Sequence, residues 1–235
     1  MTKIIWITRT QPSADDSARL WEAAGFKAIA APLLRVVNAP ERPAAPESDA
    51  VLVFTSKNGV FAFQGHGFKP QNKVITVGDA TAAAARAAGF RDVASAKGVS
   101  ADAAALCLKH VPKTTPIIHC AGRHVRGSIV EDLTASGYDA RRDLYYQSEP
   151  VTAWPDIDYA AISHIAFYSP LAAKTFAALL HGKPSGRLSL DIHIPSLISI
   201  SRATDATLEG VIDAKRVVAR EPNEAAMLAV LKDLA

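Results

Sequence analysis

Two short segments place hydroxyl side chains directly after a run of apolar residues. Val51–Phe54 is followed by Thr55 and Ser56, and the same pattern returns at Phe167-Tyr168-Ser169. The valine-rich run predicts a strand buried on both faces, and Thr55 or Ser56 is a suitable N-cap for the next helix. Because the first helical turn carries unsatisfied N–H groups and the positive dipole end, both segments favour an anionic ligand.

The remaining motifs exclude several common site chemistries. The segment VGDAT, from Val77 to Thr81, lacks the spacing of a dinucleotide-binding fingerprint, and the chain has no P-loop. His119 and Cys120 are adjacent, so they would face opposite sides of a strand, and no further ligand lies at a useful spacing. We therefore expect no metal site, and the sequence shows neither a dinucleotide-binding fingerprint nor a P-loop.

Composition narrows the class of protein further. The 235 residues are 49% apolar and carry a net charge of +3, which suits a soluble protein with a sizeable core and a small polyanionic ligand. The basic residues form no run, which disfavours nucleic-acid binding. Two widely spaced cysteines make no disulfide framework, and no segment has the length of a signal peptide or a membrane span. The sequence predicts a cytoplasmic protein.

Strands alternate with helices along the whole chain, which predicts doubly wound α/β domains with parallel sheets. Glycines are expected to end several helices, as at Gly25 and Gly137. The predicted strands are 3–8, 27–31, 51–55, 73–77, 93–94, 116–120, 140–146, 165–168, 196–200 and 216–219. The predicted helices are 13–24, 57–64, 81–88, 101–110, 127–135, 170–180, 204–210 and 224–234.

Internal similarity predicts two lobes, the first of them discontinuous. Three segments repeat in order, among them FTSKNGVFAF with FYSPLAAKTF, while Ile7–Gly25 resembles His119–Gly137 out of order. A permuted repeat is explained if residues 1–35 fold with 158–235 as domain 1, and 50–145 form an inserted domain 2. The proline-bearing segments 36–49 and 146–157 are then the two linkers.

These motifs in this order resemble the uroporphyrinogen-III synthase family over nearly the whole chain. The similar segments are ITRTQP, FTSKNGV, VGDAT, LYYQS, FYSP, SRATDAT and PNEAAML. The resemblance implies two flavodoxin-like domains joined by a two-stranded linker. It also implies a monomeric, cofactor-free lyase of tetrapyrrole and haem synthesis that converts hydroxymethylbilane into uroporphyrinogen III with loss of water and inversion of the last pyrrole ring. Direct transfer of substrate from hydroxymethylbilane synthase is left open.

The resemblance also assigns roles to individual residues. Tyr146 in LYYQS matches the family's tyrosine near the return linker, and its phenol could donate a proton to the leaving hydroxyl. Tyr145 competes for that role, because neighbours in a strand face opposite ways. The expected substrate-binding residues lie at strand ends: Thr8, Arg9, Thr55, Ser56, Asn58, Gly78, Thr81, Arg123, Ser169 and Thr204.

Each assignment has a structural alternative. Arg9, Arg123 and the further candidate Arg126 could pair with substrate carboxylates or form surface salt bridges. Tyr146 could simply pack at the lobe junction, and the serines could act only as helix caps. Ser201 stands where the family usually has glycine, and a side chain there could narrow the cleft.

Two other functions remain open at this stage. A degenerate, non-catalytic homologue would bind a carboxylate-rich ligand without converting it, and Ser201 is the feature that favours this alternative. A flavodoxin-like regulatory module would need acidic phosphoacceptor residues at the strand ends, where this sequence has Ser, Thr and Arg.

Overall fold

The computed structural model describes residues 3–125, 127–182 and 195–232. Its strands follow the predicted alternation with helices, and most of their ends lie within two residues of the predicted ones. The strands are β1 Ile4–Ile7, β2 Lys27–Ala30, β3 Leu34–Asn38, β4 Val51–Phe54, β5 Lys73–Thr76, β6 Val93–Ser95, β7 Ile117–Gly122, β8 Ala140–Pro150, β9 His164–Phe167, β10 Ser196–Ser199 and β11 Arg216–Val218.

The helices lie between these strands. Gly25 and Gly137 follow the first and fifth helices with positive φ values of 93° and 82°, as expected for glycines that end helices. The helices are α1 Ser13–Ala23, α2 Lys57–Gly65, α3 Asp79–Ala87, α4 Ser100–His110, α5 Ile129–Ala135, α6 Pro170–His181, α7 Arg202–Asp205 and α8 Glu224–Lys232. No helix in the described ranges is long and apolar enough to cross a membrane.

The chain divides into two compact units. Unit 1 comprises Met1–Arg35 and Glu149–Ala235, and unit 2 comprises Val36–Ser148. The unit 1 sheet has the strand order β11-β10-β9-β1-β2. Its described pairings are all parallel, with Trp6 of β1 opposite both Ile29 and Ile165. Strands from the two ends of the chain therefore build one sheet, which confirms the discontinuous first domain.

The unit 2 sheet has the order β3-β8-β7-β4-β5-β6. Strands β4 to β8 pair in parallel. Strand β3 runs antiparallel to β8, since the N–H of Ala39 donates to the carbonyl of Tyr145 and the N–H of Val151 donates to that of Leu33. The two chain segments that connect the units are thus paired with each other.

Each sheet is covered by helices on both faces, as the apolar strands predict. Residues Val51–Phe54 are all at most 4% exposed. On one face of unit 2, α2 approaches β7 so closely that a Cβ at Gly59 would lie 2.7 Å from the carbonyl oxygen of Cys120. In unit 1, Trp6 and Trp21 lie on opposite faces of the sheet in separate apolar clusters.

Two elements differ from the sequence-based expectation. Strand β8 continues to Pro150, beyond the predicted end at residue 146, because β3 pairs with the extension. The predicted helix 204–210 is instead the four-residue α7 followed by a 3-10 turn, Ala206–Leu208. Residues 183–187, which belong to the segment 181–187 that the sequence predicts as a loop, lie outside the described ranges, and so do residues 233 and 234 of the predicted last helix.

Candidate active site

The carboxyl ends of β4, β5 and β7 bring several predicted site residues to one edge of the unit 2 sheet. Ser56 is the N-cap of α2 and accepts a hydrogen bond from the backbone N–H of Asn58 at 3.1 Å, which confirms its predicted capping role. Gly78 is the N-cap of α3. A Cβ added at Gly78 would meet no atom within 4 Å, so this strand end is open to a close approach by a ligand.

Tyr146 reaches the same edge from β8. Its ring lies directly over Gly122, where an added Cβ would be 2.7 Å from Cε2 of the tyrosine. Its hydroxyl forms a hydrogen bond with the side chain of Ser56. Burial raises the pKa of Tyr146 above its ordinary value, and the bond to Ser56 partly opposes that shift. The phenol is therefore protonated at neutral pH.

A β-bulge places Tyr145 and Tyr146 on the same side of the sheet. Leu144 pairs with Ala121 but Gly122 pairs with Tyr146, so β8 has one extra residue, Tyr145, at this point. The expectation that the two tyrosines face opposite ways is wrong for that reason, because both contact the cluster around Phe63. Tyr145 is fully buried, stacks on Phe63, and its hydroxyl has no hydrogen-bond partner in the described structure.

Thr55 contacts a buried histidine at the end of β4. Its hydroxyl lies 3.2 Å from Nε2 of His119 on the neighbouring strand β7. Burial, together with the positive charge of Arg142, lowers the pKa of His119 to about 4. His119 is therefore neutral at pH 7, and it holds the Thr55 hydroxyl at the end of β4.

The other predicted residues of unit 2 differ in exposure. Thr81 is 7% exposed in the first turn of α3. Arg123 is exposed, and its Nε donates to the side chain of Gln147 at 2.8 Å. The predicted candidate Arg126 lies outside the described residues.

In unit 1, two of the predicted threonines are directed inward. Thr8 is fully buried, and its hydroxyl donates to the carbonyl of Ala166 at 2.7 Å. Thr204 is also fully buried, with its hydroxyl 3.0 Å from that of Ser201. Ser169 caps α6 by accepting from the N–H of Ala172. The structure thus leaves Ser169 at the strand end, and it places the other two hydroxyls in internal hydrogen bonds.

Ser201 has a local structural role. Its side chain accepts from the N–H of Thr204 as the N-cap of α7, and its backbone is extended, with φ −159°. An extended backbone requires no glycine, so serine is accommodated here without strain.

Arg9 belongs to a partly buried polar network, defined here as Arg9, Ser17, Trp21, Tyr168 and Glu224. Glu224 lies 3.3 Å from the Arg9 guanidinium and accepts a hydrogen bond of 2.7 Å from the Tyr168 hydroxyl. That hydroxyl accepts in turn from Nε1 of Trp21 at 2.9 Å, and Arg9 lies over the tyrosine ring. Burial, followed by the carboxylate of Glu224, raises the pKa of Tyr168.

Sequence reasoning did not identify Glu224, Gly122 or His119 as partners of the predicted site residues. Glu224 is 215 positions away from Arg9, and nothing in its own segment marks it as the partner. The signal for Gly122 is its position at a strand end two residues after Cys120, which alone does not specify contact with a tyrosine on another strand.

The two cysteines are buried and reduced. Burial raises the pKa of the Cys107 thiol to about 12 and also raises that of Cys120, so neither is a nucleophile at neutral pH. Among the described residues, no three His, Cys, Asp or Glu side chains are grouped closely enough to bind a metal ion.

The chain is similar in fold to the solved uroporphyrinogen-III synthetase of Helicobacter pylori. The enzyme from Helicobacter pylori is 20% identical, with a TM-score of 0.61 and complete coverage of both chains. A mutant from Thermus thermophilus is 15% identical over 99% of this chain and 98% of that one, with a TM-score of 0.46. The wild-type Thermus thermophilus enzyme is 16% identical over both complete chains, with a TM-score of 0.41. No curated protein sequence matches significantly.

The family assignment comes from the sequence as a whole rather than from one motif. The family model described as uroporphyrinogen-III synthase HemD matches residues 15–229, which is nearly the entire chain. That span includes the whole unit 2 sheet with the bulge at Tyr145, and every strand of the unit 1 sheet except β1. The chain belongs to the uroporphyrinogen-III synthase HemD family.

Proposed function

We propose that this protein is a uroporphyrinogen-III synthase, a cyclising hydro-lyase of tetrapyrrole synthesis whose substrate is hydroxymethylbilane. Family membership supports the reaction class. The observation that carries the proposal for this chain is the pair formed by Tyr146 and Ser56 at an open strand end. It combines a protonated phenol with a capped helix N-terminus, so a proton donor and an anion-binding element lie together.

The reaction removes the hydroxyl group of the bilane as water. Departure of that hydroxyl needs a proton, and the resulting azafulvenium cation is stabilised by the electron-rich pyrroles. The substituted carbon of the last ring attacks the cation and forms a spirocyclic intermediate. The bond from that carbon to its original methylene bridge then breaks, and the methylene bonds to the unsubstituted carbon of the same ring, which loses a proton, so that the ring is inverted in the closed macrocycle. The protein's main contribution is orientation, since it must favour one carbon over its neighbour.

Tyr146 is the proposed proton donor. Its raised pKa keeps the proton on the phenol at neutral pH, and Ser56 fixes the direction of the hydroxyl. Gly122 has no side chain beneath the ring, which is what allows the ring to lie at this position. Tyr145 is not assigned a role in proton transfer, because its hydroxyl is fully enclosed.

Substrate carboxylates are proposed to bind at the strand ends. Helix N-termini and uncharged donors can hold carboxylates without a dense lysine patch. We assign direct contacts to Thr55, Ser56, Asn58, Gly78, Thr81, Arg123 and Ser169, and to Arg9 if it exchanges Glu224 for a substrate carboxylate. Thr8 and Thr204, whose hydroxyls are bonded internally, are assigned the ordering of their strand ends.

Analysis of the product isomer tests the proposal. Fresh hydroxymethylbilane is incubated with the purified protein, and the oxidised porphyrins are separated by chromatography. Without an enzyme the bilane closes to the type I isomer, so type III product in proportion to protein concentration is the expected result. Only type I product from a protein shown to be folded by circular dichroism would contradict catalysis and leave a non-catalytic carboxylate-binding protein.

A further inference from the structure

A groove lies beside the unit 2 sheet, between strand β8 and the connection that follows β3. It has a volume of about 490 Å³ and is bounded by residues 40–44 on one side and 141–144 on the other. Its β8 wall lies alongside the part of the strand that pairs with β7, and not at the carboxyl edge where the proposed active site lies. Of the residues assigned to that site, Arg123 alone also lines the groove.

The β8 wall of the groove is an unpaired strand edge. The N–H of Ile117 donates to the carbonyl of Asp139, so Asp139 is directed towards β7. Because alternate residues of a parallel strand address opposite neighbours, the backbone groups of Arg142 and Leu144 point away from β7 and into the groove. No described backbone hydrogen bond joins residues 40–46 to residues 140–144.

The connection beside this edge is chemically unsuited to pair with it. Pro40, Pro43 and Pro46 lack backbone N–H groups, so they cannot donate to the carbonyls of β8. Strand β3 itself ends at Asn38 and pairs with the later part of β8. The first half of β8 therefore keeps open donors and acceptors next to a cavity, which is the arrangement that strand addition uses.

The side chains of the groove select for negative charge. Its lining includes Arg42, Arg123, Arg141 and Arg142, against two acidic residues, Glu41 and Asp143. Arg141 already pairs with Glu47 and Asp143. In the described part of the chain, Arg42 and Arg142 have no acidic partner, and Arg42 lies over the ring of Phe68. A strand rich in lysine would be repelled, whereas an acidic one would be attracted.

We propose that this groove binds an extended acidic segment of a partner protein, which adds to the unit 2 sheet along β8. The segment pairs its backbone with Arg142 and Leu144 and places acidic side chains, at alternate positions, opposite Arg142 and Arg42. Main-chain bonds supply affinity, and the arginines supply selectivity. The groove shares only Arg123 with the residues assigned to the synthase site, and the proposal does not rest on the synthase activity.

Fluorescence anisotropy tests the proposal with a labelled peptide of alternating Glu and Val and a matched peptide of alternating Lys and Val. The acidic peptide should bind saturably and the basic peptide should not. In Arg142→Ala, loss of a charge-assisted contact should weaken acidic-peptide binding about tenfold. Arg86→Ala, which removes an exposed arginine outside the groove, is the matched control and should bind like the wild type.

A second variant separates strand pairing from charge. Leu144→Pro keeps all arginines but removes an N–H that points into the groove, so binding should weaken severalfold. Hydrogen exchange on the wild-type protein gives the same information without a substitution, since the amides of Arg142 and Leu144 should be protected when the acidic peptide is bound. Absence of binding would overturn the proposal. Unchanged exchange at both amides, or complete displacement of the peptide by free citrate, would overturn it in favour of a simple anion site.

Discussion

The same three-residue pattern, Phe-x-Ser, ends a central strand in each unit, but its middle residue differs. After β4, Phe54-Thr55-Ser56 leads into α2, and after β9, Phe167-Tyr168-Ser169 leads into α6. Both serines cap their helices, and both phenylalanines are fully buried. The two strand ends therefore start from the same local structure.

Their surroundings give them different chemistry. In unit 1, Tyr168 donates to Glu224 and accepts from Trp21, and Arg9 lies over its ring, so the polar groups satisfy one another. In unit 2, Tyr146 reaches Ser56 from β8, which is separated from β4 by β7, and a Cβ at the nearby Gly78 would meet open space. The polar groups at the unit 1 end are bonded to one another, whereas the unit 2 end carries the Tyr146–Ser56 hydroxyl pair to which the proposal assigns proton donation.

Removing the Tyr146 hydroxyl is the most direct test of whether the chemical step depends on the unit 2 strand end. In Tyr146→Phe, loss of a general acid should reduce kcat for type III product by about 10³-fold with little change in KM. Steady-state rates, measured with the circular dichroism spectrum as a control for folding, check this. Wild-type kcat in this variant would contradict the assignment of the proton donor to Tyr146 in unit 2.

The pH dependence of stability tests the contribution of the buried, neutral His119 at the unit 2 strand end. Its pKa is about 4 in the folded state and 6.5 when unfolded, so the unfolded chain binds more protons between those values. The stabilising contribution of neutral His119 is therefore fully present above pH 6.5. The free energy of unfolding falls as the pH drops towards 4, by up to about 3 kcal/mol. Urea unfolding at several pH values should show this loss. In His119→Gln the free energy of unfolding should change less steeply with pH. Equal slopes in the two proteins would contradict it.

Gly122→Ala tests whether the position of the tyrosine matters separately from its chemistry. The added methyl would lie 2.7 Å from the Tyr146 ring and must displace it. Activity should fall about thirtyfold, because a small displacement of a reacting group is costly. Gly78→Ala is the matched control, since its methyl meets no protein atom, and its unfolding midpoint should stay near that of the wild type.

Breaking the ion pair of the unit 1 polar network should change the free energy of unfolding. In Glu224→Gln the ion pair with Arg9 is lost, and because both groups are partly exposed, unfolding should become easier by only about 1 kcal/mol. Chemical denaturation measures this change. If Glu224→Gln instead lowered kcat as strongly as Tyr146→Phe, the distinction between the two units would be wrong.

Tyr145→Phe should have the smallest effect. The Tyr145 hydroxyl is buried beside the Cys120 thiol, which is a weak hydrogen-bonding group, so its removal should change the free energy of unfolding by less than about 0.5 kcal/mol. Type III product should form at the wild-type rate. A large loss of activity here would move the proton-donor role from Tyr146 to its neighbour.

Local patterns in the sequence were enough to predict most of the fold. Valine-rich runs, serine caps and glycine stops depend on neighbouring residues, so the strands, the caps at Ser56 and Ser169, and the alternation of elements could be read directly. The permuted repeat also predicted that the first domain is discontinuous, because repeated segments must occupy equivalent places in two similar sheets.

Contacts between distant segments were decided by the tertiary structure. The extra residue at Tyr145 reverses the expected facing of two tyrosines, and a bulge depends on how β8 pairs with β7 rather than on β8 alone. Packing of α8 against the strand ends brings Glu224 to Arg9, and burial places the hydroxyls of Thr8 and Thr204 inside unit 1. The sequence by itself determined which elements form and which residues end them, since those choices are local. Which side chains stay available to a ligand was decided only on folding, because hydrogen-bond partners far apart in the chain compete for the same polar groups.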